Sequence, residues 1–113
     1  MTLYDQTSED NAKSILNRGF IPGVWGIAGP AIYFATTPNH THHKARFKGI
    51  ILECVVDLGK LKMLGQCGDP SLTKEIMKNE GFDSVQIPRD KGIEYAIYEN
   101  TRVKHIKIYK TNT

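Results

Sequence analysis

The spacing of hydrophobic and polar positions changes several times along the chain, and each change marks an element. Leu3 and Tyr4 read as the end of a short first strand, after which Thr7 or Ser8 caps a helix running to about Arg18. Thr7-Ser8-Glu9-Asp10 has the form of a capping box, with its carboxylates in the first turn where the helix dipole favours negative charge. Ala12, Ile15 and Leu16 recur at helical spacing while Lys13 and Asn17 fall off that face. Gly19 stands where a left-handed cap ends a helix. Phe20 returns the chain to the core. Pro22, Gly23, Gly26 and Gly29, with Trp25 among them, make residues 21–30 an irregular loop. A loop of that length in a small domain is often functional, and a packed surface loop has the same composition.

Ala31-Ile32-Tyr33-Phe34-Ala35 is an apolar, aromatic run punctuated on both sides, which predicts a buried strand. The Tyr33 hydroxyl needs a partner there, either backbone or ligand. Pro38 then sits in the first turn of a helix predicted over 38–47. Residues 49–57 form the strongest strand pattern, in which Glu53 shares a face with Ile51 and Val55 and so must lie near an edge or be paired. Asp69-Pro70-Ser71 opens a helix carrying Leu72, Ile76 and Met77, with Gly81 as its terminator. Short strands follow over 84–87, 94–98 and 103–109, the first two joined by a Pro88-Arg89-Asp90-Lys91-Gly92 turn. No repeat, linker or low-complexity tract interrupts this order, so the expectation is one α+β domain over 1–113, with helices early and strands late.

Composition narrows this only slightly. A chain of 113 residues with 40% hydrophobic and 24% charged positions has the balance of a soluble globular domain with a modest core. No apolar run approaches a bilayer crossing, and Met1-Thr2-Leu3-Tyr4-Asp5 lacks the basic-then-apolar order of a secretory signal. The expected setting is therefore intracellular, cytoplasmic or nuclear, without a membrane, and the expected state is a monomer. Cys54 and Cys67 lack metal spacing, and Cys54 falls in an apolar strand, where a buried thiol is usual. His42 and His43 are adjacent and diverge by about 100° on a helix, which does not suit one ion. Neither a disulfide nor a metal is expected. A net charge of +3 is too small to argue for nucleic acid, though it permits an anionic ligand.

Four segments together carry a resemblance. Leu3-Tyr4-Asp5-Gln6-Thr7-Ser8 leads through Asn11 to Ile15-Leu16-Asn17-Arg18-Gly19-Phe20, and Ala31-Ile32-Tyr33-Phe34-Ala35, Gly81-Phe82-Asp83-Ser84-Val85 and Glu94-Tyr95-Ala96-Ile97-Tyr98 follow in order. In that order they resemble the catalytic domain of the poly(ADP-ribose) polymerase-like, diphtheria-toxin-type ADP-ribosyltransferases, over nearly the whole chain. The resemblance implies two packed, mostly antiparallel sheets with short flanking helices around a cleft for nicotinamide adenine dinucleotide (NAD). It also implies a catalytic set from three strands. Tyr33 and Glu94 match the family's tyrosine and glutamate, whereas Asp5-Gln6 stands where the family has histidine-glycine. An ionised Asp5 accepts hydrogen bonds where a histidine donates them, so a ribose hydroxyl must be the donor to it. Gln6 replaces a glycine whose backbone meets the nicotinamide carboxamide, so its side chain must turn away or supply that contact.

By the same resemblance Thr7 matches an adenosine-ribose contact, Thr41 matches a serine that holds the carboxamide, and Lys44 stands at a nicotinamide-stacking tyrosine. A lysine cannot stack like an aromatic ring, so the stacking group is either Tyr33 alone or Tyr33 with Phe47, one helical turn after Lys44. Asn11 and Gly19 also match, with a helix surface and a helix cap as their plain structural roles. The activity implied is mono-ADP-ribosylation: transfer of ADP-ribose from NAD to a macromolecular acceptor, protein ahead of nucleic acid, with nicotinamide released and no metal needed. His40, His42 and His43, read as an exposed cluster, and Lys60 with Lys62 are candidate acceptor contacts or a solvated face. The alternative is an inactive module that binds NAD, ADP-ribose or a protein on the same fold.

Overall fold

Local chemistry sets most element boundaries in the computed structural model, which describes residues 1–44 and 49–111. The first strand, β1 (Thr2–Thr7), leads into α1 (Glu9–Arg18), whose N-cap is Ser8: its hydroxyl accepts the Asn11 N–H at 3.2 Å. Gly19 ends the helix at φ 87°, donating its N–H to the Ile15 carbonyl at 2.8 Å. Asn100 packs against that glycine and takes the Phe20 N–H on its Oδ1 at 2.7 Å, so the helix exit is tied to the far end of the chain. The chain continues through β2 (Ile32–Ala35), α2 (Thr41–Lys44), β3 (Ile50–Val56), β4 (Leu61–Met63), α3 (Lys74–Glu80), β5 (Ser84–Arg89), β6 (Gly92–Ile97) and β7 (Val103–Thr111).

Strand ends shift by a residue or two from the sequence reading, and three elements depart from it further. The helix expected from Asp69 starts at Lys74 instead. The Asp69 carboxylate accepts the Ser71 N–H at 3.1 Å and the Ser71 hydroxyl at 2.6 Å, closing a turn, and Thr73 provides the helix cap by accepting the Ile76 N–H at 3.1 Å. The 38–47 helix begins at Thr41, because residues 38–40 form turns in which Thr41 N–H donates to Pro38 and His42 N–H to Asn39. Its continuation past Lys44 lies outside the described residues. β4 went unforeseen: three residues carry no periodicity, and what holds them extended is parallel pairing with β5 from Leu61↔Ser84 to Met63↔Gln86.

The class is α+β, but the strands form one mixed sheet in the order β4-β5-β6-β2-β1-β3-β7, not the two packed sheets expected. All neighbours are antiparallel except β4 and β5, which are joined by a crossover through α3. The seam between the halves is narrow. β1 pairs with β3 along its whole length, whereas Tyr4↔Ala35 is the pairing that ties β1 to β2. A single backbone pairing leaves no trace in a hydrophobic pattern, which is why two sheets and one divided sheet read alike.

Both faces of this sheet carry buried core residues. On one, Leu3, Phe34, Leu52, Cys54, Tyr95 and Ile97 pack with Ala12 of α1 and with Phe20, whose ring meets Phe34 edge-on at 5.3 Å. On the other, Val85, Ile87 and Ala96 pack with Met77 of α3, with Leu72, and with Ala28 and Ala31 from the loop before β2. Burying each large apolar side chain contributes roughly 1.5–3 kcal/mol. Glu53 is paired as its position requires, accepting from the Tyr4 hydroxyl and the Lys107 ammonium, each at 3.1 Å. No helix among the described residues is long and apolar enough to cross a membrane.

Candidate functional site

Ala35 is the point from which the site is built. It pairs with Tyr4 on one side and with Glu94 on the other, so β1, β2 and β6 run as neighbours and Asp5, Tyr33 and Glu94 stand on three adjacent strands. Alternation then sorts them by face. Tyr33 and Glu94 alternate with Phe34 and Tyr95, which belong to the α1 side, and so both lie on the other side of the sheet. Asp5 alternates with Gln6 and follows Leu3 on the α1 side. Burial pushes the nearby Cys54 thiol up to about 12, with the Asp5 charge as the next contribution, in keeping with that placement. The β1 residues on the Tyr33 and Glu94 side are therefore Tyr4 and Gln6, and the expected convergence of Asp5 with Tyr33 and Glu94 does not occur.

Glu94 lines an open cleft of about 410 Å³. Ala35 and Ile93 contribute from the strands, His40 from the turn before α2, Gln66 from the loop after β4, and Arg89, Asp90, Lys91 and Gly92 from the tip of the β5–β6 hairpin. The hairpin turns at Gly92, φ 123°, directly against the His40 ring: a Cβ there would lie 2.5 Å from Nδ1. That His40 nitrogen is buried and has no hydrogen-bond partner. Gln66 Nε2 donates to Asp90 Oδ1, tying the loop to the hairpin tip. Two carboxylates, an imidazole and two exposed cations thus share one concave surface.

Tyr33 is held differently. Its hydroxyl accepts the Ala28 N–H at 2.9 Å and donates to the Gly29 carbonyl at 2.5 Å, while the Tyr98 hydroxyl donates to the Ala28 carbonyl at 2.6 Å. Both backbone groups of fully buried Ala28 are satisfied by tyrosines, so the glycine-rich loop is clamped to the sheet. Burial raises the Tyr33 phenol above its ordinary value, the Ala28 N–H opposes that rise, and the charge of Glu94 adds to it.

Gln6 is buried and turns its carboxamide inward. Nε2 lies 2.9 Å from Thr41 Oγ1 and 3.0 Å from His42 Nδ1, and Oε1 accepts the Gly49 N–H at 3.2 Å. Because the amide donates, the His42 nitrogen facing it is the acceptor. The Thr41 hydroxyl donates to the Pro38 carbonyl at 2.5 Å and is fully buried, so it is committed within the protein. Thr7 ends β1, half-buried, paired with Ile50, and leaves the helix cap to Ser8. Asn11 is exposed on α1, and Gly19 serves as the helix exit. Lys44 closes α2, but its side chain and the whole of Phe47 lie outside the described residues. The expected exposed histidine cluster is not formed by His40 and His42, since one lines the cleft and the other meets Gln6. Lys62 pairs with Glu80 at 2.6 Å.

Sequence reasoning reached Glu94 but missed Gln66, Arg89, Lys91 and the role of His40 in the cleft. The one available signal was Gly92 beside Glu94, which marks a tight turn without saying what packs on it. Compared with known proteins, the chain matches no family model and no curated protein sequence.

Proposed function

We propose that this chain is a mono-ADP-ribosyltransferase domain that takes NAD in the Glu94 cleft and transfers ADP-ribose to a macromolecular acceptor, a protein ahead of a nucleic acid. The observation that carries this reading is the position of Glu94, a carboxylate in an open cleft, on a strand next to the one bearing Tyr33 and sharing its face. In the reaction the bond between ribose C1 and the nicotinamide nitrogen breaks, its electron pair leaves with neutral nicotinamide, and the sugar gains positive charge. Glu94 stabilises that charge, holds a ribose hydroxyl, and accepts the proton from the acceptor nucleophile as its bond to C1 forms. Arg89 and Lys91 at the rim suit the diphosphate. Asp5, which the resemblance placed in the catalytic set, lies on the opposite, α1 side of the sheet from Glu94, so no ribose contact in this cleft is assigned to it.

Label transfer from NAD tests this. Glu94→Gln keeps the shape and removes the base, and is expected to lower transfer by about 10²–10⁴-fold. Equal labelling by wild type and variant would show that Glu94 is not the catalytic group.

One observation favours the second reading, an inactive module that binds NAD or ADP-ribose. Gln6 directs a primary carboxamide onto Thr41, the residue that by resemblance would hold the nicotinamide carboxamide. Saturable ADP-ribose binding without label transfer under any acceptor mixture supports that module instead.

A further inference from the structure

We propose that His40 is a second ligand-contacting group of the Glu94 cleft, presenting its Nε2–H as a donor to one hydroxyl of a ribose while Glu94 accepts from the neighbouring hydroxyl. The pairing of donor and acceptor comes from the cleft itself; the identification of the sugar as part of an ADP-ribosyl group rests on the dinucleotide reading above.

His40 and Glu94 come from different segments and line the same concavity. The histidine is fixed by its backbone: its N–H donates to Thr37 Oγ1 at 3.3 Å, and the following residue, Thr41, donates its N–H to the Pro38 carbonyl at 3.2 Å. One edge of the ring is pressed on Gly92, where a side chain would collide with Nδ1 and Cε1. Nδ1 is thereby shut off from solvent with nothing to bond to. A buried N–H without an acceptor is rarer and costlier in proteins than a bare lone pair, so the ring proton resides on Nε2. Gly92 thus acts on the chemistry of the cleft by selecting the tautomer.

The remaining lining groups define what such a ring can serve. Glu94 offers only acceptors, Arg89 and Lys91 only cationic donors, and Asp90 already receives the Gln66 amide. A vicinal diol needs both kinds of partner at once, one to accept its protons and one to donate to its oxygens. Glu94 with a neutral imidazole N–H supplies that combination, and the two cations beside it suit a linked diphosphate. The ligand class is therefore a ribose carrying a diphosphate.

The test uses the full chain labelled with ¹⁵N. Long-range proton–nitrogen NMR of the His40 ring is expected to report the Nε2–H tautomer; a proton on Nδ1 overturns the proposal without any ligand. Titration with ADP-ribose is expected to move the His40 ring resonances together with the amides of Ala35 and Ile93. His40→Ala is expected to weaken ADP-ribose about tenfold, and His40→Gln, which keeps a side-chain N–H, to stay within about threefold of wild type, as the loss and retention of one hydrogen bond imply. Shifts at Ala35 and Ile93 with an unmoved His40 ring, or undiminished binding by His40→Ala, overturn the role of His40 and leave the dinucleotide reading standing. No shift anywhere with ADP-ribose removes both.

Discussion

Replacing Tyr33 with phenylalanine separates its two possible duties, because the ring stays and only the hydroxyl goes. In the fold that hydroxyl is the acceptor for the Ala28 N–H and a donor to the Gly29 carbonyl, and both residues are buried. Water cannot replace it freely. The stranded N–H costs about 1–3 kcal/mol and the carbonyl, with a second lone pair to use, about 1 kcal/mol, so a loss near 3 kcal/mol is expected. For a domain of this size that lowers the melting temperature by roughly 12 °C. Urea unfolding followed by the fluorescence of Trp25 and by circular dichroism measures it. The Tyr98→Phe variant releases the carbonyl of the same Ala28 at 2.6 Å, so the double variant is expected to lose less than the two single losses added together. ADP-ribose binding by Tyr33→Phe is expected to stay within about threefold, since both of these hydrogen bonds are made to the protein's own backbone. A stability loss below about 0.5 kcal/mol refutes the clamp, and a tenfold drop in binding at unchanged stability assigns the hydroxyl to the ligand.

Other consequences are smaller in scope. Gln6→Ala removes an amide that meets Thr41, His42 and the Gly49 N–H and is expected to cost about 2 kcal/mol in the urea midpoint; a neutral result would show the contacts to be incidental. Gly92→Ala forces a Cβ into the His40 ring at φ 123° and is expected to cost about 2 kcal/mol, with chemical-shift changes concentrated at His40; changes spread evenly over the chain would contradict this. Iodoacetamide at pH 8 is expected to label exposed Cys67 and spare Cys54, whose thiol burial has pushed up to about 12; mass spectrometry reads the site. That raised value also sets a pH dependence. The neutral Cys54 thiol contributes its full stability below about pH 8.5, the value of a free thiol, and loses it as pH climbs toward 12, so Cys54→Ser is expected to flatten the alkaline decline in urea titrations.

What could be read in advance divides by the range of the forces involved. The ends of α1 were legible because Ser8 and Gly19 act on backbone groups within a few residues. The strand containing Glu53 was legible because its β-branched and apolar residues dominate the run that Glu53 interrupts, and even the partner Glu53 demands was implied, though not its identity as Tyr4 and Lys107. The start of α3 was misread because an aspartate-led turn and a helix cap use the same residues for the same local hydrogen bonds, and only the chain beyond Leu72 decides between them. β4 was invisible because its extended form comes from β5, not from its own residues.

The site follows the same division, and Ala35 shows why. Tyr33 and Glu94 were found from ordered motifs, and alternation on their own strands correctly predicts that residues two apart share a face. Which face of β1 joins them depends on the register of one backbone pairing, Tyr4↔Ala35, and a shift of one residue there would exchange Asp5 for Gln6. Nothing in the side-chain pattern encodes that choice, because Ala35 presents only a methyl group to either neighbour. Its smallness is nevertheless the condition for the arrangement. Ala35 lines the cleft beside Glu94 and is 3% exposed, so a larger side chain would fill the space in front of the carboxylate while leaving both strand pairings intact. The same residue that ties the two halves of the sheet together thus keeps the cleft open, and the distance between Gln6 and Glu94 is set by backbone hydrogen bonds that no motif records.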